Sequence, residues 1–113
     1  MTERSLAHAR ARLAAGDLVS ARNEARRVAR TGSAADKAEA HLLLSACAKR
    51  TGNDATARQH VAKALSLDPD NALAQYAAAE FAEHDRDVEN AIERLERAVA
   101  LAPNFVVLPG SKR

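Results

Sequence analysis

The sequence predicts an all-α protein of three stacked antiparallel helix pairs, and three observations carry this. First, residues 38–69 recur after a shift of 34. Ala38, Ala40, Ala48, Ala57, Ala64, Leu67 and Pro69 fall on Ala72, Ala74, Ala82, Ala91, Ala98, Leu101 and Pro103. Where identity is lost, character persists: Ser45 falls on Ala79, Val61 on Leu95, Leu65 on Val99 and Lys63 on Arg97. A fixed period of this length marks a stacked helical repeat. Second, 47% of the residues are hydrophobic but only 3% are aromatic, with no Trp. Such a core must be built from Ala, Leu and Val, and helices meet closely through small side chains. Third, Gly, Asp, Asn and Pro interrupt the apolar periodicity where helices would have to turn.

The elements follow in order. Residues 3–15 read as the first helix, with Leu6, Ala9 and Leu13 on one side, and Gly16-Asp17 breaks it. Glycine accepts the backbone angles of a tight turn. Residues 18–30 form the second helix, with Leu18, Ala21, Ala25, Val28 and Ala29 as its stripe. A shift of 36 maps Gly16 on Gly52, Ala21 on Ala57 and Val28 on Ala64, so this is a degenerate first copy. Its two extra residues fall in an exit loop, Thr31–Asp36, where Gly32 stops one helix and Ser33 or Asp36 caps the next. Helix three runs from about Ala38 to Arg50 through Leu42, Leu43 and Leu44. Thr51-Gly52-Asn53 turns the chain, and Asn53 or Asp54 caps helix four, which runs to about Leu67. Asp68-Pro69-Asp70-Asn71 ends it, because Pro cannot continue a helix and Asp caps its successor. Helix five spans roughly Asn71–His84, Asp85-Arg86-Asp87 is a turn, and helix six spans roughly Val88–Leu101.

The expected organisation is one domain over residues 1–105, with copies at about 2–35, 38–71 and 72–105. Residues 106–113 form an apolar C-terminal tail with no seventh helix to cap helix six. A length of 113 residues suffices for a modest core.

Net charge is +2, but it is unevenly spread. Residues 1–60 carry eleven Lys+Arg against six Asp+Glu, and residues 61–113 carry six against nine. A basic end and an acidic end point to a charged partner or a head-to-tail contact. A single cysteine cannot form an intrachain disulfide, no charged-then-apolar leader follows Met1, and no apolar run approaches a membrane span. A reducing, cytoplasmic location without membrane contact is therefore expected.

Small residues at Ser45 and Ala79, the turn Gly52, the pairs Ala57/Ala64 and Ala91/Ala98, and the Asp68-Pro69 exit together resemble the tetratricopeptide repeat (TPR) family. The match spans nearly all of residues 2–105. The resemblance implies a right-handed superhelix, an α-α solenoid whose first helices line a concave groove. The small residues then lie where paired helices cross closest. Two departures stand out. His41 and Gln75 replace the family's large aromatic, and Arg86 stands where a turn glycine is usual.

On that resemblance the groove is lined by Leu6, Arg10 and Leu13, then Leu42, Ala46, Lys49 and Arg50, then Leu73, Tyr76, Glu80 and Glu83. The surface runs from basic through apolar to acidic and suits a peptide of mixed character. Family modules that hold heat-shock chaperone tails clamp two carboxylates with Lys, Asn and Arg. Those places here hold Leu6, Arg10, Leu43, Leu73 and Ala77, which argues against chaperone tails as the ligand.

Other signals are weaker. Arg22, Arg26 and Arg30 share a helix face, with Arg27 beside them, as a nucleic-acid stripe would require. No stacking aromatics accompany them, so nucleic acid is disfavoured. His8, His41, His60 and His84 are scattered over four helices, and only Glu80 with His84 has ligand spacing, with Asp87 nearby, so no metal or cofactor is expected. Cys47 reads as a small buried residue, and no catalytic constellation stands out, so the chain is not expected to be an enzyme.

Val88, Ile92, Leu95 and Val99 form an uncovered stripe on helix six. The tail residues Phe105, Val106, Val107 and Leu108 would fold over it or insert into another copy, giving a homodimer. The leading expectation is a non-catalytic scaffold that binds a protein or peptide segment in its groove. The alternative is self-assembly through the uncapped end faces, and the third reading is a basic-face nucleic-acid adaptor.

Overall fold

Among the described residues, the Ala-rich stretches fold as six α-helices: α1 (Thr2–Ala14), α2 (Leu18–Thr31), α3 (Ala34–Arg50), α4 (Asp54–Leu67), α5 (Ala72–His84) and α6 (Val88–Leu101). The computed structural model describes residues 2–103, with side chains from residue 6 onward, and the described residues contain no strand.

The same local device turns the chain three times. Residues 16, 52 and 86 all take the left-handed conformation, Gly16 with φ 87°, Gly52 with φ 79° and Arg86 with φ 63°. The N–H groups of Gly16, Gly52 and Arg86 donate to the carbonyls of Leu13, Lys49 and Glu83, each at 3.0 Å. One residue on, the N–H groups of Asp17, Asn53 and Asp87 reach the carbonyls of Arg12, Ala48 and Ala82 at 2.8, 2.8 and 2.9 Å. This pair of bonds satisfies carbonyls that a helix end would otherwise leave open. The carboxylates of Asp17 and Asp87 and the amide of Asn53 then cap the following helices, accepting from the N–H groups of Ser20, Asn90 and Thr56. Arg86 thus adopts glycine's geometry without being glycine.

The exits from α4 and α6 also match, with Asp68 at φ −149°, ψ 84° and Ala102 at φ −149°, ψ 79°. The exit from α2 differs. Helix three begins at Ala34, four residues before the expected Ala38, and the connection shrinks to Gly32-Ser33. Ser33 Oγ accepts from the N–H of Asp36, so the extra residues become helix instead of loop. A Cβ on Gly32 would sit 2.9 Å from Asp36 Cβ and 3.0 Å from the Val28 carbonyl oxygen, so this tight connection needs glycine for clearance. The cap of α5 is Asn71, whose side chain accepts from the N–H of Ala74, and not an aspartate. Smaller shifts occur at α1, which ends at Ala14, and at α2, which extends to Thr31.

Every helix packs on its neighbours in sequence, and α1 also touches α3, and α3 touches α5. Ala21, Ala57, Ala64 and Ala98 have no exposed surface, and Ala91 is buried. The Ser45 hydroxyl donates to the Ala57 carbonyl at 3.0 Å inside the α3–α4 crossing. A larger side chain at either residue would drive these helices apart.

Among the described residues two core clusters result. Leu6 and Ala9 of α1, Ala25 and Val28 of α2, and Ala40, Leu43 and Leu44 of α3 form one. Ala38 and Leu42 of α3, Val61 and Ala64 of α4, and Ala74 of α5 form the other. Helix α3 serves both, which is why its apolar residues run round it instead of along one stripe. At the rim of the second cluster, Arg58 holds Asp85 with two hydrogen bonds of 2.7 Å and lies 4.7 Å over the Phe81 ring. The hydrogen bonds from Arg58 hold the Asp85 carboxyl below its ordinary range, so the pair stays ionised.

Candidate functional site

Helices α1, α3 and α5 open the three hairpins, and their mutual contacts give them a common surface. Polar side chains tie it across. Arg10 reaches Glu39 at 3.2 Å, and the other oxygen of Glu39 accepts from Asn71 Nδ2 at 2.7 Å, linking α1 and α3 to the N-cap of α5. Arg50 donates to the Leu13 carbonyl at 3.1 Å, and Lys49 Nζ lies 3.9 Å from Glu80. Most of these groups face water, so they fix relative position more than they add stability.

The expected groove residues divide by depth. Leu6 and Leu42 are buried in the two cores and cannot face a ligand, because α3 is enclosed from both sides at Leu42 and α1 turns Leu6 toward α2 and α3. Leu13, Ala46 and Tyr76 are half-buried, and Arg10, Lys49, Arg50, Leu73, Glu80 and Glu83 are exposed. Tyr76, Glu80 and Glu83 follow one face of α5. Leu43, one of the places compared with the chaperone clamp, is buried as well.

A depression of about 380 Å³ is framed by Lys49, Asp54, Glu80, Phe81, Glu83 and His84. Asp54, Glu80 and Glu83 line it together with Phe81, whose ring has Arg58 at 4.7 Å and Lys49 Nζ at 5.4 Å from its centroid. With three carboxylates against the single Lys49, the depression is a setting for a further cationic side chain, attracted by charge. Phe81 was not among the expected groove residues. Its only signal was size, one of two phenylalanines in an Ala-rich chain.

The structure joins two histidines that spacing left apart. His41 Nδ1 and His60 Nδ1 are 3.0 Å apart, with the rings stacked at 5.2 Å between centroids. Burial lowers the pKa of both. For His41 the neighbouring His60 and Lys63 add to the effect, and for His60 Arg26 does. One ring therefore donates and the other accepts, both neutral. Glu80 and His84 border the same depression. Among the described residues, no three His, Cys, Asp or Glu side chains converge to hold a metal.

On α6, Val88 and Ile92 are exposed and Leu95 and Val99 half-buried. Ile92, Leu95, Glu96, Val99 and Ala100 line an apolar depression of about 430 Å³. Phe105, Val106, Val107 and Leu108 lie outside the described residues. On α2, Arg26 and Arg30 are exposed, Arg22 is half-buried, and Arg27 pairs with Glu24 at 3.3 Å. Cys47 is buried and its thiol is pushed up by that burial, which keeps it protonated. No helix among the described residues is long and apolar enough to cross a membrane.

No protein-family profile matches the chain, and no curated protein matches its sequence.

Proposed function

We propose that this chain is a three-hairpin module of the tetratricopeptide type that recruits a protein segment along the face of α1, α3 and α5. Its role is non-catalytic. The observation that carries the reading is the acidic depression bordered by Phe81, continued along α5 by Tyr76 and Leu73. It favours a segment with a Lys or Arg side chain for the depression and an apolar side chain beside it for Leu73 and Tyr76. The longest dimension of the molecule is 36 Å, which limits such a segment to roughly ten extended residues. The three repeated turns and the 34-residue period support the superhelical arrangement, and with it a concave shape for this face.

The test is selection of displayed random peptides on the intact chain, followed by titration of the recovered sequences. Enrichment of a basic residue next to an apolar one is expected. Charge reversal by Glu80→Lys with Glu83→Lys should weaken binding at least tenfold, whereas Arg30→Gln on α2, which makes no contact with α5, should not. Peptides without a basic residue, or affinity indifferent to both reversals, would overturn the reading.

A further inference from the structure

The equivalence of the hairpins says what the two end faces are shaped to meet. Inside the molecule, Ala40, Leu43 and Leu44 of α3 cluster with Ala25 and Val28 of α2, with Ala29 packed alongside. The same contact recurs one hairpin on. Ala74, Ala77 and Ala78 of α5, together with Phe81, cluster with Val61, Ala64 and Leu65 of α4. The positions correspond by the shifts of 34 and 36 that relate the copies.

Carried one step further, the pattern leaves half of this contact open at each end. Leu95 and Val99 of α6 take the places of Val61 and Leu65, and Ile92, 50% exposed, takes that of Arg58. They line the apolar depression already described. At the other end, Ala7, His8 and Ala11 of α1 take the places of Leu43, Leu44 and Cys47, and all three are exposed. The ends also differ in charge. Among the described side chains, the exposed charged residues of α6 are Glu89, Glu93, Glu96 and Arg97, and those of α1 are Arg10 and Arg12.

We propose that a second copy of this chain docks head to tail, seating its α1 on α6 of the first. The contact would repeat the one made twice within each copy, an apolar ridge against a face of small residues, with opposite charges around it. Such an interface is heterologous, so assembly proceeds to a ring or an open filament and not to a two-fold dimer. The inference rests on the repeat reading of the fold and is separate from ligand binding on the α1–α3–α5 face.

Sedimentation velocity over a wide concentration range tests it. The intact chain should grow in mass with concentration and lose mass with added salt. Ile92→Asp blocks one end and Ala11→Glu the other, both at exposed positions that leave the core untouched. Each variant alone should be monomeric, with unchanged helical circular dichroism. Mixed together they should form a heterodimer through the one interface both leave intact. A monomeric intact chain, or a dimer abolished by Ile92→Asp but untouched by Ala11→Glu, would overturn the proposal. So would assembly only by a chain ending at Asn104, which would assign the α6 face to residues 105–113. Monomers that still select basic peptides would sink the assembly alone and leave the groove reading standing.

Discussion

Arg94 donates to Gln75 across the third hairpin at 3.0 Å, in the two positions that His41 and His60 occupy in the second. Gln75 has no exposed surface, and its amide also donates to the Pro69 carbonyl at 2.8 Å. One side chain thus fastens α6 on one side and the α4–α5 connection on the other. His41 and Gln75, on the first helices of their hairpins, are each met by a polar partner from the second helix.

Gln75→Leu keeps the volume but strands the Pro69 carbonyl and the Arg94 donor. Urea unfolding should show a loss of about 1–3 kcal/mol. Arg94→Leu should cost a similar amount by leaving Gln75 Oε1 buried and unpaired. The double variant should cost less than the two together, because each single change already breaks the shared bond. Additive losses would show that the pair does not act as a unit.

Stability should fall with acid through the His41–His60 pair. Both groups have native pKa values below the ordinary 6.5. Above that pH both are neutral, folded or unfolded, and contribute no pH dependence. As the pH drops below 6.5 the unfolded chain binds protons first, so stability declines until the native pair also titrates. The melting temperature should therefore decrease between about pH 7 and about pH 5, above the range where carboxylates dominate. His41→Gln with His60→Gln should flatten that slope. An unchanged slope in the double variant would place the pH dependence elsewhere.

Arg86 holds φ 63° at a turn where its counterparts are glycines. Arg86→Gly should stabilise the protein by about 0.5–1 kcal/mol, since relief of left-handed strain exceeds the added freedom of the unfolded chain. Gly52→Ala should destabilise by a similar amount, although no atom lies within 4 Å of the added Cβ, because the φ of 79° remains unfavourable. Chemical unfolding of the two variants side by side decides the matter. Equal and opposite shifts are expected, and a destabilised Arg86→Gly would assign the arginine a role beyond the turn.

What the sequence determined by itself was the hairpin turns, whose contacts close within a few residues of the chain. Gly16, Gly52, Asp17, Asn53 and Asp87 mark the hairpin turns and caps because the groups they satisfy lie three to five residues away. The small residues at Ala57, Ala64, Ala91 and Ala98 were legible for the same reason, as a constant interval on one helix face. Helix three was misplaced at its start because a Ser33 cap and a loop of polar residues look alike until the Asp36 N–H has chosen its acceptor. Of the candidate site, spacing gives only that Tyr76, Glu80 and Glu83 share one face of α5. The burial of Leu6 and Leu42, the position of Phe81 among those carboxylates, and the pairing of His41 with His60 could not be read from it. Only the tertiary structure decided these, because they depend on how far each helix rotates about its own axis when its neighbours close on it. That rotation is fixed by packing on both sides at once, and no single stretch of sequence contains both sides.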